Sequence, residues 1–160
     1  MSWRGRIWLN KYNMRQVARA LLRNEEWKYL LVMHHKSESW TTPGGHIDEW
    51  EPMHKALKRE IREEFNLKVK FLWETNGLDL DFIREYPLPI ANYKILYTSK
   101  KFGKVKKWEF IFHCEVKQWE LEHLKIQEKE IKDYKWFSPE EINELENIFP
   151  QIPLLLKKVI

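Results

Sequence analysis

Cysteine is nearly absent. The chain has one, Cys114, so no internal disulfide can form, and a reducing compartment suits it. No apolar run approaches the roughly 20 residues of a membrane-spanning helix, and the first residues lack the apolar core of a signal peptide. A cytoplasmic protein without membrane contact is therefore expected. A strong excess of one charge sign is also missing. Net charge is +4, with an isoelectric point near 9.0; this suits phosphorylated ligands but is too slight to demand nucleic acid. There are no internal repeats and no linker, so residues 1–160 are expected to form one domain with a real core. His34, His35 and His46 match no zinc spacing, and each is read as structural. At 14% aromatic and 32% charged residues, the composition is that of a globular protein and not a disordered one.

The chain is organised around residues 45–67, GHIDEWEPMHKALKREIREEFNL. Residues 52–65 read as a helix, with Pro52 in a first turn that needs no amide donor. Met53, Ala56, Leu57 and Ile61 recur at spacings of three and four to make one apolar stripe. Asn66 stands where a helix end favours a residue that tolerates the left-handed conformation. On this helix Glu60 has Glu63 and Glu64 as neighbours, and like charges so placed cost roughly 0.2–0.5 kcal/mol per pair. A face built for solubility would alternate its signs. This one concentrates carboxylates beside Gly44-Gly45, as a hard-cation site requires. On these residues alone, a metal site and a solvated acidic face both remain open.

The spacing is more specific. Gly45 is followed after five residues by Glu51, then after seven by Arg59-Glu60-Ile61, with Glu63-Glu64 beyond Arg62 and Asn66-Leu67 beyond Phe65. This resembles the Nudix box, Gly-x5-Glu-x7-Arg-Glu-apolar-x-Glu-Glu-x-Gly-apolar, at every specified position except the last Gly, here Asn66. Asn is the next-best residue to Gly at positive φ. Residues 40–44, WTTPG, also look like the strand leading into the box in that family. The resemblance extends over residues 15–67 and, as strand order, to about residue 145.

In chain order, residues 1–13 carry Trp3, Trp8 and Tyr12 among basic residues and read as an extension packed on the body. Residues 16–23 and 29–35 read as strands, and 40–42 continues the sheet into the glycine pair, where the backbone can approach a ligand closely. Residues 67–73 read as a strand, 74–89 as irregular, and 91–98 with 108–116 as a hairpin. Between those last two, Lys100, Lys101, Lys104, Lys106 and Lys107 read as a solvated turn, or as a guard against edge pairing. Residues 117–129 form a loop or short helix, and 131–137 a strand. Ser138-Pro139-Glu140-Glu141 starts a helix that runs to about residue 146, and residues 150–160 supply a last short helix with 154–156 packed inward. This order fits an α/β fold, the Nudix-type α/β/α sandwich with a mixed central sheet.

The resemblance implies a pyrophosphohydrolase. Its reaction would be Mg2+-dependent hydrolysis of a diphosphate bond in a nucleoside diphosphate linked to another moiety: a nucleotide sugar, ADP-ribose or a nucleoside triphosphate. Mn2+ is the alternative cation. Carried over by position, Glu60 and Glu64 are the main metal ligands, Glu63 is a third carboxylate, and the Gly45 carbonyl also touches the metal. Arg59 orients a carboxylate by a bidentate ion pair. Glu51 fixes the loop at the helix start and, with Gly44 and Gly45, lies on the substrate side. The box does not supply the general base; Glu130, ahead of the last strand, is the candidate and Glu128 the fallback.

Substrate identity stays open. Tyr86 and Pro87 fall too far downstream to match subfamily marks, and the extended motifs of NADH and coenzyme A diphosphatases are absent. Among nine tryptophans, Trp40 reads as core, while Trp108 and Trp136 are undecided as base-stacking platforms. Two alternatives stand beside the small-nucleotide reading: an RNA 5′-end pyrophosphohydrolase, and a catalytically silent module that only binds nucleotide or RNA. The complete set of carboxylates argues against the silent module. Nucleic acid is not the favoured partner, and the chain is expected to be a monomer or homodimer.

Overall fold

The computed structural model describes residues 14–100 and 103–160. The expected N-terminal extension lies outside the described residues, as do Lys101 and Phe102. Among the described residues, seven strands form one mixed sheet: β1 (Met14–Arg23), β2 (Tyr29–His34), β3 (Gly44–His46), β4 (Lys70–Phe71), β5 (Ala91–Ser99), β6 (Gly103–Glu115) and β7 (Ile131–Phe137). Among the described residues the helices are α1 (Met53–Phe65), α2 (Pro139–Glu144) and α3 (Gln151–Leu156), with a 3-10 helix at Gln118–His123. The sheet runs β4-β6-β1-β2-β7, with β3 also on β1 and β5 also on β6.

Strand β1 is central, and its alternation serves two cores. Ala18, Ala20 and Leu22 face the core under α1, with Leu30, Phe112 and Cys114. Leu21 faces the opposite core, with Leu31, Ile111, Ile142 and Leu155. Burial on both faces is what a central strand of an α/β/α sandwich needs. Helix α1 buries Leu57, Ile61 and Phe65 completely, at ~1.5–3 kcal/mol of stabilisation for each large side chain. Strand β1 runs parallel to β6 from Met14↔Lys106 to Arg23↔Glu115, yet its antiparallel register to β2 holds only Arg23↔Tyr29. Beyond that point the two strands diverge, and residues 40–46 fill the fork. Thr41 exchanges both backbone hydrogen bonds with Val32 (2.8 and 2.9 Å), while Gly44 to His46 pair with Arg19 to Val17.

Gly44 belongs at this fork. It has φ +143°, and a Cβ there would run into the Ala18 carbonyl and the Arg19 backbone, so both conformation and space require glycine.

Four expectations change. The strand over 67–73 shrinks to Lys70–Phe71 because the Lys68 amide is taken by Glu120 Oε1 (3.1 Å) and not by a neighbouring strand. Residues 40–42 make isolated bridges (Val32↔Thr41 and Trp40↔Ile148) and no strand of their own. Leu154 is exposed, because a helix as short as α3 turns only Ile152, Leu155 and Leu156 inward. The lysine segment is not simply a solvated turn either: β6 begins at Gly103, so Lys104, Lys106 and Lys107 are strand residues. Lys107 lies inward against Glu109 (2.7 Å).

Asn66 ends α1 with φ 55° and ψ 36°, and its side-chain amide donates to the His123 carbonyl (2.9 Å). Asn66→Gly relaxes the backbone but loses that bond, so the two effects nearly offset, with a shift within ~1 kcal/mol. Asn66→Ala loses the bond and also strains the left-handed position, so a loss of ~2 kcal/mol is expected. Urea unfolding of the two variants checks the order; equal stability would remove the claim that the conformation matters.

Candidate active site

The C-terminal carbonyls of α1 are what assemble the site. The Glu64 carbonyl accepts from the Gln127 amide (2.9 Å) and the Phe65 carbonyl from the Lys125 amide (3.0 Å). These bonds satisfy orphan helix-end groups and dock the 118–130 segment on the helix. At the end of that segment, Glu130 lies close enough for its charge to act on both Glu60 and Glu64.

Arg59 organises the other side. Its Nε and Nη2 make a two-pronged contact with Glu51 (2.9 and 3.0 Å). Nη1 donates to Glu60 Oε1 (2.9 Å), and at longer range to Glu63 Oε2 (3.4 Å). Nη2 also reaches the His46 carbonyl (2.9 Å), tying the helix to β3. Glu51 accepts from the Asp48 amide (3.1 Å), which closes the 48–51 turn. The Arg59 hydrogen bond holds the Glu51 carboxyl below the usual range.

Glu60 and Glu64 shift the opposite way. Burial raises Glu60, with Arg59 opposing. Glu64 is 2% exposed, and its Oε2 has no hydrogen-bond partner. Burial, then the charges of Glu60 and Glu130, push its carboxyl up to about 8. Gly45 completes the arrangement, since a Cβ there would overlap the Glu60 carboxyl group. Glycine thus lets β3 lie directly against this carboxylate.

The expected residues Gly45, Glu51, Arg59, Glu60, Glu63, Glu64 and Glu130 therefore share one region. Gly44, expected on the substrate side, is instead buried in the sheet. Glu128 contributes its backbone carbonyl to His35 Nε2 (2.6 Å). Trp40 packs edge-on against Phe137 (5.1 Å between ring centroids) in the core, as read. Trp136 packs against the core under α1, and Trp108 bonds Asn92 Oδ1 (2.7 Å). Tyr86, outside the subfamily spacing, nonetheless packs on His54 of α1 (4.4 Å).

Sequence reasoning missed a cleft of ≈ 390 Å3 beside this region, lined by Arg19, His34, Lys107, Glu109, Tyr97 and Phe149 among others. Its signal was present as charged residues at alternate positions of β6, Lys107 and Glu109, in register with β1.

A model of the NUDIX domain matches residues 13–157. The chain belongs to the Nudix family. It is 35% identical over 114 residues to Nudix hydrolase 27, chloroplastic, of Arabidopsis thaliana, covering 69% of this chain and 48% of that protein. It is 30% identical over 108 residues to the RNA pyrophosphohydrolase of Pseudoalteromonas atlantica, covering 62% and 56%. The chain thus spans about half the length of these relatives. A Nudix-family hydrolase from Clostridium perfringens superposes with a TM-score of 0.71 at 22% identity, over 91% of this chain and 95% of that one. That likeness supports the fold, the Nudix α/β/α sandwich. Among the described residues, no helix is long and apolar enough to cross a membrane.

The residues fit a hard divalent cation. Carboxylate oxygens dominate, one buried oxygen lacks a partner, and a glycine leaves room at Glu60. Among the described residues, no three acidic, His or Cys side chains are already gathered as a metal site. Arg59 holds Glu60 by a hydrogen bond from Nη1.

A carboxyl whose folded value is raised from 4.5 to about 8 contributes stability that is present below 4.5 and lost as pH rises through 8. The slope in that window approaches ~1.4 kcal/mol per pH unit. In metal-free buffer, wild type should therefore lose stability relative to Glu64→Gln between those pH values. Buried histidines with lowered values, such as His34, cancel in the difference. Parallel denaturation curves across pH would contradict a buried, uncompensated Glu64.

Proposed function

We propose that this Nudix chain acts as one domain that hydrolyses a diphosphate bond in a nucleoside diphosphate derivative, with Mg2+, or Mn2+ in its place, as cofactor. The observation that carries the reading is Glu64: a buried carboxylate with an orphaned oxygen, crowded by Glu60 and Glu130. Such a group is costly unless a cation meets it.

Glu60, Glu63 and Glu64 would hold the cation, with the Gly45 backbone beside them. A divalent ion, when bound, supplies charge neutralisation at the diphosphate oxygens and acidifies a water. Arg59 positions Glu60, and through Glu51 it keeps the 48–51 turn in place. Glu130 takes a proton from the water that attacks phosphorus as the P–O anhydride bond breaks. It is favoured over Glu128 because its charge falls on Glu60 and Glu64. A cytoplasmic setting fits the one cysteine, reduced and buried.

An RNA 5′-end pyrophosphohydrolase is the second reading. It is favoured by the relative of that name and by the exposed Lys94 and Lys104 on the β5–β6 hairpin.

The test is a hydrolysis screen, with and without Mg2+, over nucleotide sugars, ADP-ribose, dinucleoside polyphosphates, nucleoside triphosphates and triphosphorylated RNA. Glu64→Gln should lose roughly a thousandfold in turnover, equivalent to ~4 kcal/mol. Glu130→Gln should lower kcat with KM little changed. RNA cleavage that collapses between low and moderate salt, with small nucleotides inert, would favour the second reading. Normal turnover by Glu64→Gln would sink both.

Gly45→Ala separates positioning from folding. The three atoms nearest the new methyl all belong to the Glu60 carboxyl group, the far end of a flexible side chain, so stability should change by under ~1 kcal/mol. The displaced carboxylate should still cost tenfold or more in turnover. An Ala variant with full activity would show that Glu60 needs no such placement.

A further inference from the structure

The missed cleft contains a network with a fixed hydrogen-bond polarity. Glu109, 3% exposed, receives Arg19 Nε (3.1 Å) and Lys107 Nζ (2.7 Å) on Oε1, and the Tyr93 hydroxyl (2.9 Å) on Oε2. Burial alone would raise Glu109, but Arg19 and Lys107 outweigh it and keep it ionised. An ionised carboxylate only accepts, so the Tyr93 proton is committed to it. The Tyr93 oxygen can then only accept, and the Gln151 side chain lies beside it. Turning its amide nitrogen towards that oxygen is the favourable orientation, and it leaves the Gln151 carbonyl oxygen as a spare acceptor in the cleft lining. A flipped amide would set two oxygens against each other.

The cations have the opposite surplus. Arg19 commits Nε to Glu109 and Nη1 to the Thr42 carbonyl (2.8 Å), while Lys107 commits one hydrogen to Glu109. Guanidinium and ammonium groups carry five and three donors, so both retain N–H groups for a ligand. These side chains are 12% and 19% exposed and lie deep in the cleft. Tyr97 and Phe149, at 45% and 40%, stand at its rim with Ile95. A volume of ≈ 390 Å3 lies within the ~300–1,000 Å3 of small-molecule sites. The cleft adjoins the carboxylates through His34, on which Glu130 acts, and Arg19, whose charge reaches Glu64.

We propose that this cleft selects a base presenting a carbonyl next to a ring N–H, as guanine, hypoxanthine and uracil do, over an amino base such as adenine or cytosine. Arg19 and Lys107 donate to the carbonyl oxygen, Gln151 accepts from the ring N–H, and the aromatic rim flanks the ring. Adenine reverses both positions, setting an amine against the cations and a bare ring nitrogen against the amide oxygen. Buried polar groups left unpaired in this way discriminate far more than a missing methylene does. The inference rests on the reading of the chain as a nucleotide hydrolase.

Inosine and adenosine monophosphates differ only at that edge and have no diphosphate bond to cleave, so calorimetric titration of the intact protein with IMP and AMP tests it. IMP should bind at least tenfold more tightly than AMP. Lys107→Met and Gln151→Leu should each bring the ratio towards one. Gln151 is half-exposed at the start of α3, so its variant should keep the wild-type melting temperature. Equal affinities, no saturable binding of IMP, or a ratio unmoved by both variants would overturn the proposal. An IMP preference in a protein that hydrolyses no nucleotide would indict the catalytic reading instead. Active hydrolysis without base preference would indict this one alone.

Discussion

Several carboxylates compete for the space beside α1, and one of them, Glu64, is buried without a hydrogen-bond partner for one oxygen. A charge in that position is expensive, and burial together with the charges of Glu60 and Glu130 pushes its carboxyl up to about 8. The surrounding structure is what enforces the crowding. Leu57, Ile61 and Phe65 anchor the helix in the core, so Glu60 and Glu64 cannot swing away by moving the backbone. The docked 118–130 segment brings Glu130 to the same place. Arg59 relieves only part of the repulsion, because most of its donors go to Glu51 and the His46 carbonyl.

Arg19 joins this acidic region to the cleft. It stands where β1 and β2 part, with Nη1 on the Thr42 carbonyl and Nε on Glu109. Its charge lowers Glu64 slightly and disfavours the protonated forms of His34 and His46. One guanidinium therefore touches the electrostatics of both halves of the site. That is possible only because the strands diverge and residues 40–46 enter between them, held by Thr41 on one side and Gly44 on the other. A continuous β1–β2 ladder would have closed the gap.

Local patterns carried much of this protein. The apolar stripe of α1, the left-handed Asn66, the span of β7 and the capped start of α2 at Ser138 are all readable within a few residues of each position. Helical periodicity and capping are short-range effects. The box also belongs here, because Gly45, Glu51, Arg59, Glu60, Glu63 and Glu64 lie within twenty residues, where helix geometry alone brings the acids to one face.

Contacts across long separations were not readable in that way. Whether residues 67–73 form a strand depended on Glu120, which takes the Lys68 amide from 52 positions away. Lys107 looked like part of a solvated run until β6 set it beside Glu109 and Arg19, the last of these 90 residues from Glu109 in the chain. Glu130 and Gln151 could be placed only after the 118–130 segment and α3 had docked. The carboxylate face follows from side-chain spacing along one helix. The cleft follows from strand register and from hydrogen bonds between distant segments, and only the folded chain decides those.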